Sequence, residues 1–203
     1  ESKTLDNALI RENFQRNFAL KKLHEVNDND LILINDLDEI PELKNFSYKK
    51  KITIFKQRML YFKFNLVYKN LSWTGSKICK KKDLISPQWL RNIKTRKYPL
   101  WRLDIFFSKK KYNNIEIIEN GGWHFTNIKT ADEIHHKMKS FLHHFEYENS
   151  GLNPEMIEKL IKDKKALYNY NADQRDNKWS NNTELEKINL EFLPDYINEN
   201  LDK

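Results

Sequence analysis

The chain has 203 residues, and its 12 Phe, 9 Tyr and 5 Trp exclude a compositionally disordered protein and allow one domain, 1–203, with a sizeable core. A single cysteine, Cys79, excludes an internal disulfide and indicates a reducing compartment. The chain contains no apolar run of about 18 residues, so the sequence predicts no membrane span. The net charge of +7 leaves two interpretations open, solvated lysine loops or attraction to a polyanion such as nucleic acid, an anionic membrane or a nucleotide diphosphate.

The first predicted element is a helix over residues 7–26, with Ile10, Phe14 and Phe18 recurring every four residues. Glu12 and Arg16 have the spacing of a helical ion pair. A turn at 28–30 then leads into an apolar strand at 31–35 that we expect to be buried on both faces.

Helices and strands continue to alternate through the rest of the chain. The pattern indicates an α/β fold with a largely parallel sheet, in which ligands bind at the carboxyl ends of the strands. The remaining predicted elements are β-structure at 51–68, a turn at 73–76, a helix capped by Ser86 and ending near 93, a strand at 115–118, a helix at 131–145 opened by a Thr130–Glu133 capping box, a helix that Asn153 and Pro154 start and that ends near 165, and a weakly helical end at 184–203.

Three carboxylates, Asp36, Asp38 and Glu39, follow the apolar strand within four positions. Like charges this close destabilise a fold unless a cation or ligand compensates them, so the stretch is either a solvated turn or a site for something positive. On an extended chain, Asp36 and Asp38 would face one side while Leu37 packed back into the core. Two carboxylates would leave other coordination positions of a metal open, which suits Mg²⁺ or Mn²⁺, and the charge of that ion would neutralise a diphosphate.

A second candidate site is the run from Gly121 to Phe125. Gly121 and Gly122 permit a positive φ or the close approach of a ligand to the backbone. Trp123 offers a flat face for a sugar, and His124 could ligate a metal or hydrogen-bond a hydroxyl. A β-bulge with a core tryptophan and a satisfied histidine explains the same residues equally well.

Histidines concentrate in the predicted helix at 131–145 and none has the H-E-x-x-H zinc spacing. We interpret His135 as a surface histidine of an amphipathic helix. His143 and His144 lie at the aromatic end of the helix, just before Glu146, and a role in a site stays open for them.

Four stretches that include these residues occur in one order, and together they resemble glycosyltransferase family 17. The best-known members of that family are the β-1,4-mannosyl-glycoprotein 4-β-N-acetylglucosaminyltransferases. The resemblance covers roughly residues 7–170. The stretches are RENFQRN at 11–17, DLILINDLDEIP at 30–41, NGGWHFT at 120–126 and KMKSFLHHFEYE at 137–148.

The resemblance implies a GT-A-like fold, a Rossmann-like mixed sheet flanked by helices. It also implies an inverting N-acetylglucosaminyltransferase that moves a sugar from a UDP-sugar donor to a glycan acceptor. Asp36 and Asp38 match the family's D-x-D motif, which is expected to bridge Mn²⁺ and the donor diphosphate. The implied site residues are Arg11, Arg16, Gly121, Gly122 and Trp123 for substrate, and Asp36, Asp38, His124, His143 and His144 for the metal.

The base that deprotonates the acceptor hydroxyl would be a carboxylate, and Glu39, Asp104 and Glu146 are the candidates. Family members carry an N-terminal region with the first strand and the nucleoside-binding loop, so we expect this chain to be N-terminally incomplete. A bacterial source would place the enzyme in the cytoplasm or at the inner membrane, and a eukaryotic source would place it in the Golgi lumen.

Two other functions compete with sugar transfer. Aromatic residues interleaved with lysines in FKQRMLYFKFNLVYKN, at 55–70, are typical of a basic nucleic-acid-binding module. The same aspartates could also serve a metal-dependent phosphoesterase, although such enzymes normally use more ligands. The order of the motifs favours the transferase, and for that function we expect no nucleic-acid partner.

Overall fold

The chain folds as two compact units in the computed structural model. The first unit comprises Glu1–Gln57 and Trp73–Gly122, and the second comprises Arg58–Ser72 and Trp123–Lys203. That the whole chain is one domain stays a prediction. The structure describes residues 2–96, 98–99, 101–140, 144–172, 177–179 and 183–200.

Six helices and nine strands lie within these described ranges. The helices are α1 (Ser2–Phe18), α2 (Pro87–Arg91), α3 (Ala131–Ser140), α4 (His144–Asn149), α5 (Pro154–Lys162) and α6 (Asp195–Glu199). The strands are β1 (Leu31–Ile34), β2 (Glu39–Pro41), β3 (Ile52–Phe55), β4 (Gln57–Tyr61), β5 (Leu66–Trp73), β6 (Lys77–Lys80), β7 (Ile115–Ile118), β8 (Gly122–Thr126) and β9 (Leu185–Lys187). Short 3₁₀ segments occur at Ala19–Glu25, Lys81–Asp83, Leu103–Ile105 and Leu190–Phe192.

The first unit contains a four-stranded mixed sheet with the strand order β1-β6-β3-β7. β3 runs parallel to β7, whereas β6 is antiparallel to both β1 and β3. The α/β class and the mixed sheet are therefore confirmed, and the expectation of a largely parallel sheet is wrong. β1 lies at the edge of this sheet, so Leu31 is exposed while Ile32 is buried, and the prediction of a strand buried on both faces is also wrong.

The core of the first unit lies where β3, β6 and β7 pack against α2. Ser86 caps α2 as predicted, since its hydroxyl accepts a hydrogen bond from the backbone N–H of Trp89 at 3.1 Å. Burial raises the pKa of the Cys79 thiol to about 12, so this thiol stays protonated and unreactive at neutral pH. The buried cluster consists of Ile52, Ile54, Cys79, Trp89, Leu90, Ile93 and Ile115.

The first helix differs from its prediction at both ends. α1 begins at Ser2 rather than near residue 7, and the chain tightens into a 3₁₀ segment from Ala19. The predicted apolar positions Ile10, Phe14 and Phe18 are all exposed. Within the part of the chain that the structure describes, no helix is both long and apolar enough to cross a bilayer.

The second unit contains the strands β8, β4, β5 and β9 in that order. β4 is parallel to β8, and β5 is antiparallel to β9, so these pairings are mixed as well. Helix α3 packs against α4 and α5. The predicted helix at 131–145 is divided, because α3 ends at Ser140 and α4 begins at His144.

Two local predictions in the second unit are confirmed. The side chain of Glu133 accepts from the backbone N–H of Thr130 at 2.9 Å, and the Thr130 hydroxyl accepts from the N–H of Glu133 at 3.3 Å, which is a complete capping box. Asn153 caps α5 by accepting from the N–H of Met156 at 2.9 Å.

Candidate functional site

The acidic stretch after β1 is a tight turn rather than an extended strand. The backbone N–H of Glu39 donates to the carbonyl of Asp36 at 3.1 Å, and the Asn35 amide donates to the carbonyl of Glu39 at 2.9 Å. Because the chain turns here, alternation does not set the directions of the side chains. Leu37 is 103% exposed, so the expectation that it packs into the core is wrong. Asp36 keeps 39% of its side chain exposed, and Asp38 is half-buried.

Glu39, in contrast, is completely buried and fully hydrogen-bonded. Nη1 of Arg91 donates to Oε1 at 2.9 Å and to Oε2 at 2.8 Å. The indole N–H of Trp73 donates to Oε1 at 2.6 Å, the backbone N–H of Asp36 donates to Oε2 at 3.0 Å, and the Ser76 hydroxyl donates to Oε2 at 3.3 Å. A buried carboxylate costs free energy unless it is paired and hydrogen-bonded, and this environment meets both conditions.

The loop between β5 and β6 is shaped to receive this carboxylate. A Cβ atom at Gly75 would lie 1.7 Å from Oε1 of Glu39, so only glycine leaves space for it. Gln57 donates to the Ser76 hydroxyl at 3.0 Å and so orients the donor that meets Oε2. These contacts explain the loop at 73–76, which the sequence marked only as a turn.

Asp36 lies between two guanidinium groups. Nη2 of Arg91, on α2, is 2.6 Å from Oδ2, and Nη2 of Arg16, on α1, is 3.2 Å from Oδ1. Arg16 also donates to Gln88 and pairs with Glu12 at 2.9 Å, which confirms the predicted helical ion pair. The compensating positive charge at the acidic turn is therefore supplied by the protein itself.

A third cation, Lys77 at the start of β6, lies close to Arg91. Its ammonium group donates to the carbonyls of Arg91 at 2.5 Å and of Ile93 at 2.8 Å. Burial, followed by the charge of Arg91, lowers the pKa of Lys77 to about 8. Lys77 thus holds the end of α2 in place and adds positive potential near Glu39.

The donor chemistry of the turn fits a hard divalent cation. An ionised carboxylate has about four lone-pair sites, so Asp36 can keep both arginine contacts and still have lone pairs for Mg²⁺ or Mn²⁺, and a site shared with Asp38 stays a prediction. Among the described residues, no group of three or more His, Cys, Asp or Glu side chains could hold a metal ion. Water or ligand oxygens would have to complete the coordination. We expect weak binding of the metal alone, because Arg16 and Arg91 carry like charge.

The two glycines of the second motif are explained by packing within the first unit. Gly122 has φ +131°, and a Cβ there would lie 2.2 Å from the carbonyl oxygen of Ile40. The carbonyl of Gly121 accepts from the backbone N–H of Glu42 at 2.9 Å. The predicted close approach to these glycines is thus made by the chain's own segment at 40–42, and contact with a ligand stays a prediction.

Trp123 and His124, the other residues of that motif, belong to the second unit. The indole N–H of Trp123 donates to the carbonyl of Phe192 at 2.5 Å, and its side chain is half-buried. His124 is buried in β8, in register with Met59 of β4. This environment resembles the alternative of a packed tryptophan and histidine, and sugar stacking by Trp123 and metal ligation by His124 stay predictions.

The histidines near α3 and α4 have different surroundings. His135 is half-buried with Nδ1 2.6 Å from the Tyr147 hydroxyl, so it keeps an exposed part and also takes part in the packing of α3 against α4. Burial raises the pKa of Tyr147. His144 is half-buried with its ring 4.1 Å from that of Phe145, whereas His143 lies outside the described residues.

The three candidate bases also differ in their environments. Glu39 is buried and saturated with donors. Asp104 accepts two hydrogen bonds from Arg102 at 2.8 Å and one from Lys111 at 2.5 Å, and these cations hold the pKa of its carboxyl well below its usual range. Glu146 has an exposed side chain on α4 in the second unit.

Arg11, which the resemblance implies for substrate binding, has an exposed side chain on α1 in the first unit.

The stretch at 55–70 has few aromatic faces available for bases. Tyr61, Phe62 and Tyr68 are buried in the second unit, and Phe55 is buried in the first. Lysines elsewhere in the chain form ion pairs within the first unit, since Lys51 pairs with Asp83 at 3.2 Å and Lys81 with Asp28 at 2.9 Å. These contacts weaken the sequence argument for a nucleic-acid module.

Sequence reasoning found Asp36, Glu39 and Arg16 but missed Arg91, Lys77 and the loop at 73–76. No local signal marks these residues, because their contacts with the acidic turn are distant in the chain. Comparison with known proteins gives no matching family model, no matching curated protein and no matching solved structure.

Proposed function

We propose that the protein is a glycosyltransferase with a GT-A-like fold, which moves N-acetylglucosamine from a UDP-sugar to a glycan acceptor with inversion. The observation that carries this proposal is the placement of Asp36. It follows β1 of a mixed α/β sheet, remains partly exposed, and lies between Arg16 and Arg91. The order of the four motif stretches along the chain supports the same function.

A nucleotide-sugar diphosphate would complement this charge arrangement. Guanidinium groups match phosphate oxygens in geometry and remain charged at all working pH values. Arg16 contacts Asp36 at 3.2 Å, Glu12 and Gln88, so its turning towards a phosphate would leave the contacts of Glu39 in place. Arg91 is fixed by its pair with Glu39 and would supply a preorganised positive charge.

Asp36 and Asp38 would hold Mn²⁺ or Mg²⁺ in this proposal. When bound, the ion would neutralise charge that develops on the departing diphosphate. Because the two arginines disfavour the metal alone, we expect the cation and the diphosphate to bind together. The buried thiol of Cys79 is compatible with a reducing bacterial cytoplasm, where we place the enzyme.

The choice of base for the acceptor hydroxyl lies among Glu39, Asp104 and Glu146, and two of these have unfavourable environments. Glu39 has no route to solvent, and the depressed pKa of Asp104 makes it a weak proton acceptor. Replacing each carboxylate by its amide in a transfer assay tests this choice. A Glu146→Gln variant that retains full turnover would show that the base is another residue.

Calorimetric titration of UDP and UDP-N-acetylglucosamine, each with and without Mn²⁺, tests the donor site. We expect binding that requires both the metal and Asp36, and its loss in Asp36→Asn. Asp28→Asn is the matched control, since it also removes an aspartate of the first unit that is paired with one cation, Lys81 at 2.9 Å. Nucleotide binding that is unchanged in Asp36→Asn would overturn the proposal.

A further inference from the structure

A short segment of the first unit exposes four large apolar side chains. In this aromatic loop, residues 101–107, Trp101 is 79% exposed, Leu103 71%, Phe106 76% and Phe107 90%. Scattered apolar residues are common on protein surfaces, but contiguous large ones mark interaction sites. Four such side chains within seven positions therefore need a partner that removes them from water.

The aromatic loop is fixed to the unit beneath it. Ile105, in the 3₁₀ turn at its centre, is buried and anchors the loop to the unit. Just beyond the loop, the Trp89 indole donates to the carbonyl of Lys109 at 2.6 Å, and the N–H of Lys94 donates to the carbonyl of Lys110 at 2.8 Å. The exposed side chains are thus presented from an anchored base.

Positive charge surrounds the aromatic loop. Residues 94–111 contain seven Lys or Arg and a single acidic residue, Asp104, which gives the segment a net charge of +6. The entire chain has a net charge of +7, so nearly all of the excess is concentrated here. Asp104 is itself neutralised by Arg102 and Lys111, which leaves Arg96, Lys109 and Lys110 exposed beside the apolar side chains.

We propose that the aromatic loop inserts into an anionic lipid bilayer and attaches the protein to a membrane surface. Trp and Phe side chains favour the boundary between headgroups and acyl chains, and clustered Lys and Arg are attracted to anionic headgroups. A single-stranded nucleic acid would use the aromatic rings and the lysines, but Leu103 has no π-face on which a base could stack. The combination of aliphatic, aromatic and basic groups matches lipid better.

Sedimentation with lipid vesicles tests this attachment. The unmodified chain should bind vesicles that contain phosphatidylglycerol more tightly than vesicles of phosphatidylcholine alone. The double variant Phe106→Ser/Phe107→Ser should lower the partition coefficient by roughly tenfold or more, because two large apolar groups no longer leave water. Lys109→Gln and Lys110→Gln should each lower it by roughly fivefold, the usual contribution of one basic residue near an anionic surface.

The matched control is Phe14→Ser/Phe18→Ser, which removes two exposed phenylalanines from α1 instead. Attachment through the aromatic loop predicts that this control binds like the unmodified chain. An equal loss in both double variants, or no binding of the unmodified chain to anionic vesicles, would overturn the proposal. So would complete displacement from vesicles by a single-stranded oligonucleotide that binds through Phe106 and Phe107, since that result would assign the surface to nucleic acid.

Discussion

Arg91 encloses the carboxylate of Glu39, with Nη1 2.9 Å from Oε1 and 2.8 Å from Oε2, and its other terminal nitrogen lies 2.6 Å from Asp36. The Glu39 side chain is entirely buried, and that of Arg91 is 12% exposed. One guanidinium group therefore joins α2 to both ends of the acidic turn. The partly exposed Asp36 depends for its position on a neighbour that solvent barely reaches.

Replacing Arg91 by Met should destabilise the protein by about 3–5 kcal/mol, because it leaves the charge of Glu39 buried without its partner. Urea denaturation followed by circular dichroism measures this change in the free energy of unfolding. The double variant Glu39→Gln/Arg91→Met should lose less than the sum of the two single variants, since neither charge then remains unpaired. Additive losses would show that the two residues do not act as a pair.

The exposed pair of Lys56 and Glu119, at 2.7 Å, is the control for this experiment. Lys56→Met should change the free energy of unfolding by no more than about 1 kcal/mol, as is usual for ion pairs in contact with water. If Lys56→Met and Arg91→Met lowered the free energy of unfolding by similar amounts, burial of the Glu39 carboxylate would have little influence on the energy of its ion pair.

Lys77 should make stability rise with pH in the alkaline range. The unfolded chain keeps the proton on this lysine up to its ordinary pKa of 10.5, whereas the folded chain releases it near 8. Between these values the unfolded state binds more protons, so the free energy of unfolding increases with pH, by about 3 kcal/mol in all. Below pH 8 this contribution is absent, because the buried lysine is charged.

The measurement is a series of urea denaturations across this alkaline range for the parent chain and for Lys77→Met. The variant should lose stability overall, since the carbonyls of Arg91 and Ile93 lose a donor, but its slope with pH should be flatter than that of the parent. Lys50→Met, at an exposed lysine, should keep the parent slope. Equal slopes in all three proteins would contradict a depressed pKa at Lys77.

The parts of the fold that sequence predicted well are those set by neighbouring residues. The cap at Ser86, the capping box at Thr130 and the cap at Asn153 all depend on side chains that reach only three positions along the chain. The apolar run of β1 was likewise recognisable. The position of β1 at the edge of the sheet could not be predicted, because an apolar run shows that a strand is hydrophobic but not which strands pair with it.

The candidate site was predictable only in part for the same reason. The sequence marks the carboxylates of Asp36 and Glu39 but leaves open whether the turn is solvated or binds something positive. The structure supplies Arg91, which is 52 positions from Glu39 in the chain, and Trp73, which is 34 positions away. Pairings over such distances depend on how β2, β5 and α2 come together, and no local pattern encodes them. The outward direction of Leu37 was missed because a turn was read as a strand.

Gly122→Ala should destabilise the protein by more than about 3 kcal/mol. The new Cβ would combine the cost of φ +131°, about 1–2 kcal/mol, with a clash at 2.2 Å against the carbonyl oxygen of Ile40. Gly151→Ala is the matched control, because Gly151 also has a positive φ, +69°, but has no atom within 4 Å of the new Cβ. It should lose only the conformational part, about 1 kcal/mol. Thermal unfolding of the two variants separates strain from crowding, and equal losses would contradict tight packing at Gly122.

Arg16→Gln should move the affinities of the metal and the nucleotide in opposite directions. Removing a positive charge 3.2 Å from Asp36 should strengthen Mn²⁺ binding in the absence of nucleotide by roughly tenfold, which corresponds to about 1.4 kcal/mol. The same change removes a phosphate partner, so UDP binding in the presence of Mn²⁺ should weaken by a similar factor, roughly tenfold.

Calorimetric titrations of Mn²⁺ alone, and of UDP at saturating Mn²⁺, measure these two effects separately. Lys22→Gln, which removes an exposed charge from the 3₁₀ segment that follows α1, should leave both affinities unchanged. Two affinities that fall together in Arg16→Gln would indicate a disturbed turn rather than a lost charge. An unchanged Mn²⁺ affinity would mean that the metal does not bind beside Asp36, since a cation there could not be indifferent to a like charge 3.2 Å from that carboxylate.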